Sequence, residues 1–432
     1  MSTRASRLLL RVLVLLLALF AAATVALNLR GEDRIDDAAA TPSGAADAQQ
    51  IDRGRYLAQV GNCAGCHTAA GGAAYAGGRA LPTPFGTVYT SNLTPDAATG
   101  LGGWSAAHFW RALHNGRSKD GHLLNPVFPY ASYTHVTRED ADALYAYLRS
   151  LPPVQQANRP HELRFPYDSQ VALAVWRALY FRADAAPGAA DMARTPAWNR
   201  GAYLAQGLGH CIECHSSRNA LGGIGSRLEL AGGTIPSQGW YAPSLVAPEE
   251  AGVAHWDRAR VVQLLQTGQA PGASVLGPMA EVVYGSTQHW SGEDLNAVAE
   301  YLQALPQVPK AADRPAPDAP ERVLARGGKL YEQHCASCHG PAGEGAPGAY
   351  PALAGNRAVT METTTNLVRI VRGGGFPPAT AGNPRPYGMP PFGHVLDDND
   401  IAAVLSYVRQ SWGNHAAPVT PLELLQNQRV DN

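Results

Sequence analysis

Three short segments each pack two cysteines and a histidine into five residues: GNCAGCHTAAGG at Gly61–Gly72, GHCIECHSSRN at Gly209–Asn219 and QHCASCHGPAG at Gln333–Gly343. They use all six cysteines of the 432-residue chain, so one chemistry must account for three copies with nothing left over. A closed zinc site takes four ligands, whereas each copy offers three and no further cysteine exists to complete it. A thioredoxin-type disulfide does not need the adjacent histidine and sits in a βαβ context that is missing here. Covalent attachment of haem c uses every residue of the motif: two thiols form thioethers with the vinyl groups and the histidine ligates the iron. The i, i+3 spacing puts both sulfurs on one side of a helical turn. We read the cofactors as three covalently bound haem c groups, on Cys63, Cys66 and His67, on Cys211, Cys214 and His215, and on Cys335, Cys338 and His339.

A common frame surrounds the copies. Each follows an Arg-Gly start and a helical stretch, RGRYLAQVGNC, RGAYLAQGLGHC or RGGKLYEQHC. Each precedes a middle helix ending at glycine and then a last helix, DADALYAYLRSLP, EDLNAVAEYLQALP or NDIAAVLSYVRQSW, with apolar residues at helical spacing and acids in the first turn. The expected fold is mainly α, three tandem cytochrome c domains after an N-terminal membrane or export helix. The expected boundaries are 1–30 for a signal anchor or signal peptide, 51–152 for unit one and 153–196 for a linker with an amphipathic helix. Unit two follows at 197–306, a Pro-rich linker at 307–320, unit three at 321–413 and a tail at 414–432. Within the first linker, Val171, Val175, Trp176, Leu179 and Tyr180 are expected on one side of a helix. That helix either packs units one and two together or lies on a docking or membrane surface.

An electron-carrying haem usually takes a second protein ligand, and methionine raises its potential while closing the iron. Of five methionines, Met389 in PYGMPPF and Met279 in LGPMAEVV stand in Gly/Pro loops, 18 and 22 residues before Tyr407 and Tyr301 of the last helices. The metal ligands are therefore read as His67, His215, Met279, His339 and Met389. Met361 reads as structural and Met192 fits no unit. Unit one departs from the pattern, because Phe128 stands where methionine is expected. Its haem takes another sixth ligand or stays open; among His108, His114, His122, His135 and His161, His135 is the first candidate.

Arg4, Arg7 and Arg11 precede an unbroken apolar run, Val12 to Leu27, which marks an export segment. Leu8 to Leu29 approaches the ~20 residues that span a bilayer, and no clean small-x-small cleavage site follows, which favours a retained anchor. A net charge of −1 gives no reason to expect nucleic acid.

On the order of the three motifs, on RGAYLAQGLGHCIECHSSRNALGG, on FPYASYTHVTREDADALYAYLRSLPPV and on YGMPPFGHVLDDNDIAAVLSYVRQSWGN, the chain resembles a known family. These are the triheme cytochrome c subunits of bacterial membrane-bound periplasmic dehydrogenases, whose partners are quinoprotein, flavin or molybdenum enzymes. The resemblance runs from about Ile51 to about Trp412. It implies a carrier with no catalytic residues of its own, on the periplasmic side of the bacterial inner membrane. Such a carrier takes electrons from a catalytic dehydrogenase subunit and passes them to ubiquinone or a terminal oxidase. The Phe-Pro-Tyr form of the unit-one loop resembles subunits that accompany molybdenum hydroxylases, acting on aldehydes or N-heterocycles; flavin or quinoprotein alcohol and sugar dehydrogenases are the alternative. A rival of another class is a haem enzyme acting at an open iron in unit one, with His122 or His135 as acid–base group.

Overall fold

The computed structural model describes residues 3–29, 32, 35, 47–225, 229–235, 238–308 and 316–428. The ends of the expected signal segment, half of the Pro-rich linker and the last residues of the tail lie outside these. α1 (Thr3–Leu29) is one continuous helix, as the apolar run requires.

Three crossed helix pairs follow. They are α2 (Ala48–Val60) with α4 (Arg138–Ser150), α6 (Pro196–Gln206) with α9 (Gly292–Gln303), and α10 (Glu321–His334) with α12 (Asp398–Gln410). Their starts are written in the sequence. Asp47, Thr137, Thr195, Ser291 and Asp397 accept from backbone amides three residues on, satisfying donors that a helix N-terminus leaves unpaired. The middle helices are α3 (Ala106–Asn115), α7 (Arg258–Thr267) and α11 (Thr365–Gly373), each closed by a glycine with positive φ.

The crossing of each pair depends on one glycine. A β-carbon on Gly54 would lie 1.9 Å from the Ala143 carbonyl oxygen, on Gly201 2.1 Å from that of Ala297, and on Gly327 2.2 Å from that of Ala403. The preceding arginine then ties the pair: Arg53 Nη2 reaches Asp140 at 2.5 Å, Arg200 Nε reaches Asp294 at 2.7 Å and Arg326 Nη2 reaches Asp400 at 2.6 Å. The repeat seen in sequence is therefore a repeat of contacts.

Units one and two share one hydrophobic core, in which Leu57, Val60, Leu144 and Leu148 join Leu204, Leu208, Leu295 and Val298. Unit three has its own, built on Tyr331, Val368, Ile401, Leu405 and Leu424. It meets unit two through polar contacts: Asn366 exchanges two hydrogen bonds with the Tyr241 backbone at 2.8 and 2.9 Å, and Arg357 Nη1 donates to the Gly252 carbonyl at 2.7 Å.

A small sheet marks the exit from unit one. β1 (Ala80–Thr83) pairs antiparallel with β2 (Gly86–Tyr89), and β3 (Glu162–Leu163) adds to β2. The chain then reaches α5 (Gln170–Tyr180), the helix expected in the first linker. It does join units one and two: the Gln170 amide bonds Leu123 at 2.7 and 3.1 Å, and Trp176 Nε1 donates to the Leu221 carbonyl at 2.9 Å. The expected apolar side is corrected, however. Val171 and Leu179 are exposed, and the buried residue is Arg177. Its Nε donates to Asn28 Oδ1 at 2.9 Å and its guanidinium lies 4.6 Å from the Phe181 ring centre. A guanidinium with such partners can be enclosed where a lone charge could not.

Replacing Gly327 by alanine forces the α10–α12 crossing apart. The expected loss is about 1–3 kcal/mol, by analogy with overpacked cores, seen in chemical denaturation as earlier unfolding of unit three.

Candidate haem sites

Each motif turn is closed by a backbone bond from the histidine amide to the first cysteine's carbonyl: His67 to Cys63 at 2.9 Å, His215 to Cys211 at 3.0 Å and His339 to Cys335 at 2.9 Å. Each imidazole is then held from behind. His67 Nδ1 bonds the Ser91 carbonyl at 2.7 Å, His215 Nδ1 that of Pro243 at 2.6 Å, and His339 Nδ1 that of Pro351 at 2.9 Å. A carbonyl can only accept, so Nδ1 carries the proton and Nε2 keeps its lone pair for a metal. Burial holds all three imidazoles below their ordinary pKa, against the opposing pull of the carbonyls, which favours the neutral form that could ligate a metal.

The thiols are free in all six positions. Burial pushes Cys63 up to about 12 and Cys211, Cys214 and Cys335 up to about 11, with the neighbouring cysteine, or Glu213 for Cys214, adding to it. Zinc-binding or redox-active cysteines need a lowered pKa; these surroundings suit a neutral thioether sulfur. Tyrosine rings complete each site. Tyr75 and Tyr133 are raised chiefly by burial and then by Cys63, Tyr301 is raised by burial and then by Cys211 and Glu229 against a hydrogen bond from Gln206, and Tyr331 by burial and then Cys335. Neutral imidazole, unpaired thiols and flat apolar walls fit a haem.

Units one and two face each other across their motifs. Leu208 lies where a β-carbon on Gly61 would meet it at 3.5 Å, and the Tyr133 and His210 rings stand 5.9 Å apart, edge to face. Arg79 of unit one donates from Nη1 to the Gly65 carbonyl inside the first motif and from Nη2 to Glu281 of unit two at 3.1 Å. In the mirror position, Arg218 Nη2 donates to the carbonyl of Glu213 inside the second motif at 3.0 Å, and Ser132 of unit one donates to the Glu213 carboxylate at 3.1 Å. The helix pairs exchange partners as well: the Tyr56 hydroxyl donates to Asp294 at 2.6 Å and that of Tyr203 to Asp140 at 2.5 Å. Unit three carries Lys329 at that place, where no such tyrosine can cross.

Met279 lies in the first turn of α8 (Pro278–Gly285), half-buried. Met389 is half-buried in the loop before α12, its amide and carbonyl paired with Gly375 at 2.7 and 3.0 Å. Met361 is buried and its carbonyl accepts from Arg409 at 2.9 Å, while Met192 is exposed. Phe128 packs edge to face on Tyr133, 5.3 Å between ring centres. His135 commits Nδ1 to Asp184 at 2.7 Å, which leaves Nε2 alone for any metal. His108 caps α3 through Ser105, His114 bonds the Thr134 carbonyl at 3.0 Å and His122 pairs with Asp120. His161 accepts from the Tyr89 amide at 3.2 Å.

Sequence reasoning missed Arg79, the carbonyls behind the imidazoles and the Tyr–Asp exchange. Only the last left a trace, in the contrast of RGRY and RGAY with RGGK.

This combination of helix pair and motif is that of a c-type cytochrome, and the sequence profile of the family cytochrome c matches residues 51–152 and 324–412. The alcohol dehydrogenase (quinone) cytochrome c subunit of Gluconobacter oxydans is 36% identical over 90% of this chain and 84% of its own length. The gluconate 2-dehydrogenase cytochrome c subunit of Pantoea cypripedii is 34% identical over 88% and 90%. A nicotinate dehydrogenase subunit of Pseudomonas putida is 40% identical over 87% of this chain but only 32% of its own length. The chain belongs to the family of cytochrome c subunits of dehydrogenase complexes; it carries covalently bound haem c and transfers electrons.

Burial alone would raise the Asp294 carboxyl, but hydrogen bonds from Arg200 and Tyr56 outweigh it and hold its pKa below the ordinary value. Its stabilising contribution is complete above an unfolded-state pKa of about 3.9 and is lost as pH falls through the lower folded value. The gap in melting temperature between the native chain and Asp294→Asn is expected to be full at pH 6 and to shrink below about pH 4, as scanning calorimetry would show.

Proposed function

We propose that the chain is a triheme electron-transfer subunit, one haem in each of units one, two and three, serving a flavin or quinoprotein alcohol or sugar dehydrogenase. The observation that carries it is the threefold recurrence of a carbonyl-backed imidazole beside two free thiols on the same helix crossing. Unit two lies outside the profile match, yet its Gly201 crossing and His215 bond repeat those of its neighbours. When bound, each haem supplies one-electron oxidation and reduction. The chain's part is to anchor it by the cysteine pair, to offer Nε2 of His67, His215 or His339, and in units two and three to offer Met279 or Met389. The proposed domain limits are 51–152, 197–306 and 321–413.

The expectation of a molybdenum partner, drawn from Phe128, gives way here. Relatives matched over most of their length are named for alcohol, gluconate and fructose dehydrogenases, whereas the nicotinate relative is matched over about a third of its own. α1 contains 24 residues apolar enough to cross a membrane. It supports attachment to the bacterial inner membrane with the haem units on the periplasmic side, where ubiquinone or a terminal oxidase takes the electrons.

Extraction in mild detergent, followed by identification of what co-purifies, tests the assignment. A flavin or pyrroloquinoline quinone dehydrogenase with three haems per chain is the expected result. A molybdenum and iron–sulfur partner would overturn the partner assignment. A chain that emerges alone and binds carbon monoxide at one haem would overturn the carrier reading in favour of a haem enzyme at unit one. Met389→Ala is expected to open one further iron, raising the carbon monoxide-reactive share of the Soret band by about a third of the total haem.

A further inference from the structure

We infer that the strap before α5, together with the outer face of α5, is a second membrane contact, seated in the headgroup layer of the bilayer that α1 crosses. This rests on the reading of α1 as a membrane-spanning helix. From Leu8 to Leu29 its large apolar side chains stand exposed, and only Thr24 and Asn28 are buried. The 24-residue span Ser6–Leu29 reaches about 36 Å at 1.5 Å per residue, a little more than the ~30 Å hydrocarbon layer. The last turn therefore emerges among headgroups.

That turn is where α5 is attached. Asn28 Nδ2 donates to the Ala174 carbonyl at 2.8 Å and its Oδ1 accepts from Arg177 Nε at 2.9 Å. The Asn28 carbonyl accepts from Arg117 Nη2 at 3.3 Å, which ties the same turn to unit one. These bonds set the height of α5 at the rim of the bilayer.

One side of α5 is spent on protein. Arg177 packs on Tyr130 and Phe181, and Trp176 and Tyr180 lie against the Leu221–Gly223 turn of unit two. The other side is left open by the described residues: Val171 is 74% exposed and Leu179 60%. The strap adds Phe165, 85% exposed, and Tyr167, held in place by the Arg164 amide on the Phe85 carbonyl and by the Phe85 ring 4.4 Å from that of Tyr167. Gly86 permits this arrangement, since a β-carbon there would meet the Glu162 carbonyl at 2.2 Å. Arg164 and Arg182 flank the apolar residues and are exposed, with Asp168 the one acid within the strap. Apolar and aromatic side chains bordered by arginine are what an interfacial segment presents to lipid. Continuity with α1 selects lipid over a protein partner, because anything covering α5 must also occupy the space where the spanning helix leaves the bilayer.

The full chain, reconstituted in phosphatidylcholine–phosphatidylglycerol vesicles doped with a diazirine-bearing phospholipid, is illuminated, digested and mapped by mass spectrometry. Lipid adducts are expected on α1 and also on residues 165–179. Adducts on α1 alone would overturn this inference and leave the spanning helix intact; absence from α1 as well would overturn the spanning reading itself. In the Val171→Glu, Leu179→Glu double variant, with an unchanged haem spectrum as the control for folding, the adducts on 165–179 are expected to vanish while those on α1 persist. Their persistence on 165–179 would also overturn it.

Discussion

The close crossing of helix on helix at Gly54, Gly201 and Gly327 is the contact that the rest of the molecule depends on. It lets an N-terminal helix lie directly on the carbonyl of an alanine in the last helix of its unit, and in doing so it fixes where that N-terminal helix ends. The motif begins within a few residues of that end, so the crossing sets the height of the thiols against the loop carbonyls that hold the imidazoles. A larger residue there would not merely loosen a core, since it would move the cysteine pair away from its own histidine's support. The arginine before each glycine and the aspartate across from it hold the angle, with Asp140 and Asp294 buried and Asp400 half-buried.

The repeat is threefold in its helices and twofold in its associations. Tyr56 and Tyr203 each cross to the carboxylate of the other unit, Arg79 and Arg218 each grip a motif carbonyl at the shared face, and one core runs through both units. Unit three keeps the crossing and replaces the tyrosine by Lys329, whose charged end has no place in a shared apolar face. The chain is thus a fused pair with a third unit docked by polar contacts. For electron transfer this puts the first two motifs in fixed register, with the Cys66 thiol close enough to bear on Cys214.

Much of this is legible in the sequence. Helix starts follow from Asp, Ser and Thr caps, and the motifs from cysteine spacing, because both are set by residues near one another in the chain. The backing carbonyls of Ser91, Pro243 and Pro351 are not legible, since any residue has a carbonyl and only the path of the loop brings one to the imidazole. Hydrophobicity alone misplaces the face of α5; Arg177 goes inside once Asn28, 149 residues earlier, is there to receive it. Phe128 suggests a partner enzyme, but a single side chain packed on Tyr133 records the making of its own pocket rather than the identity of a distant protein.

The exchanged tyrosines bear on how the protein comes into being. Asp140 and Asp294 each satisfy an arginine of their own unit and a tyrosine of the other, so neither carboxylate is fully paired until both helix pairs have formed. Units one and two therefore mature jointly: a nascent chain that has closed only one of them still exposes half of a common core and an incomplete pair of acids. Unit three can close by itself. Closure of the first two motifs becomes a single checkpoint, and a chain that fails at one of them leaves both open to proteolysis.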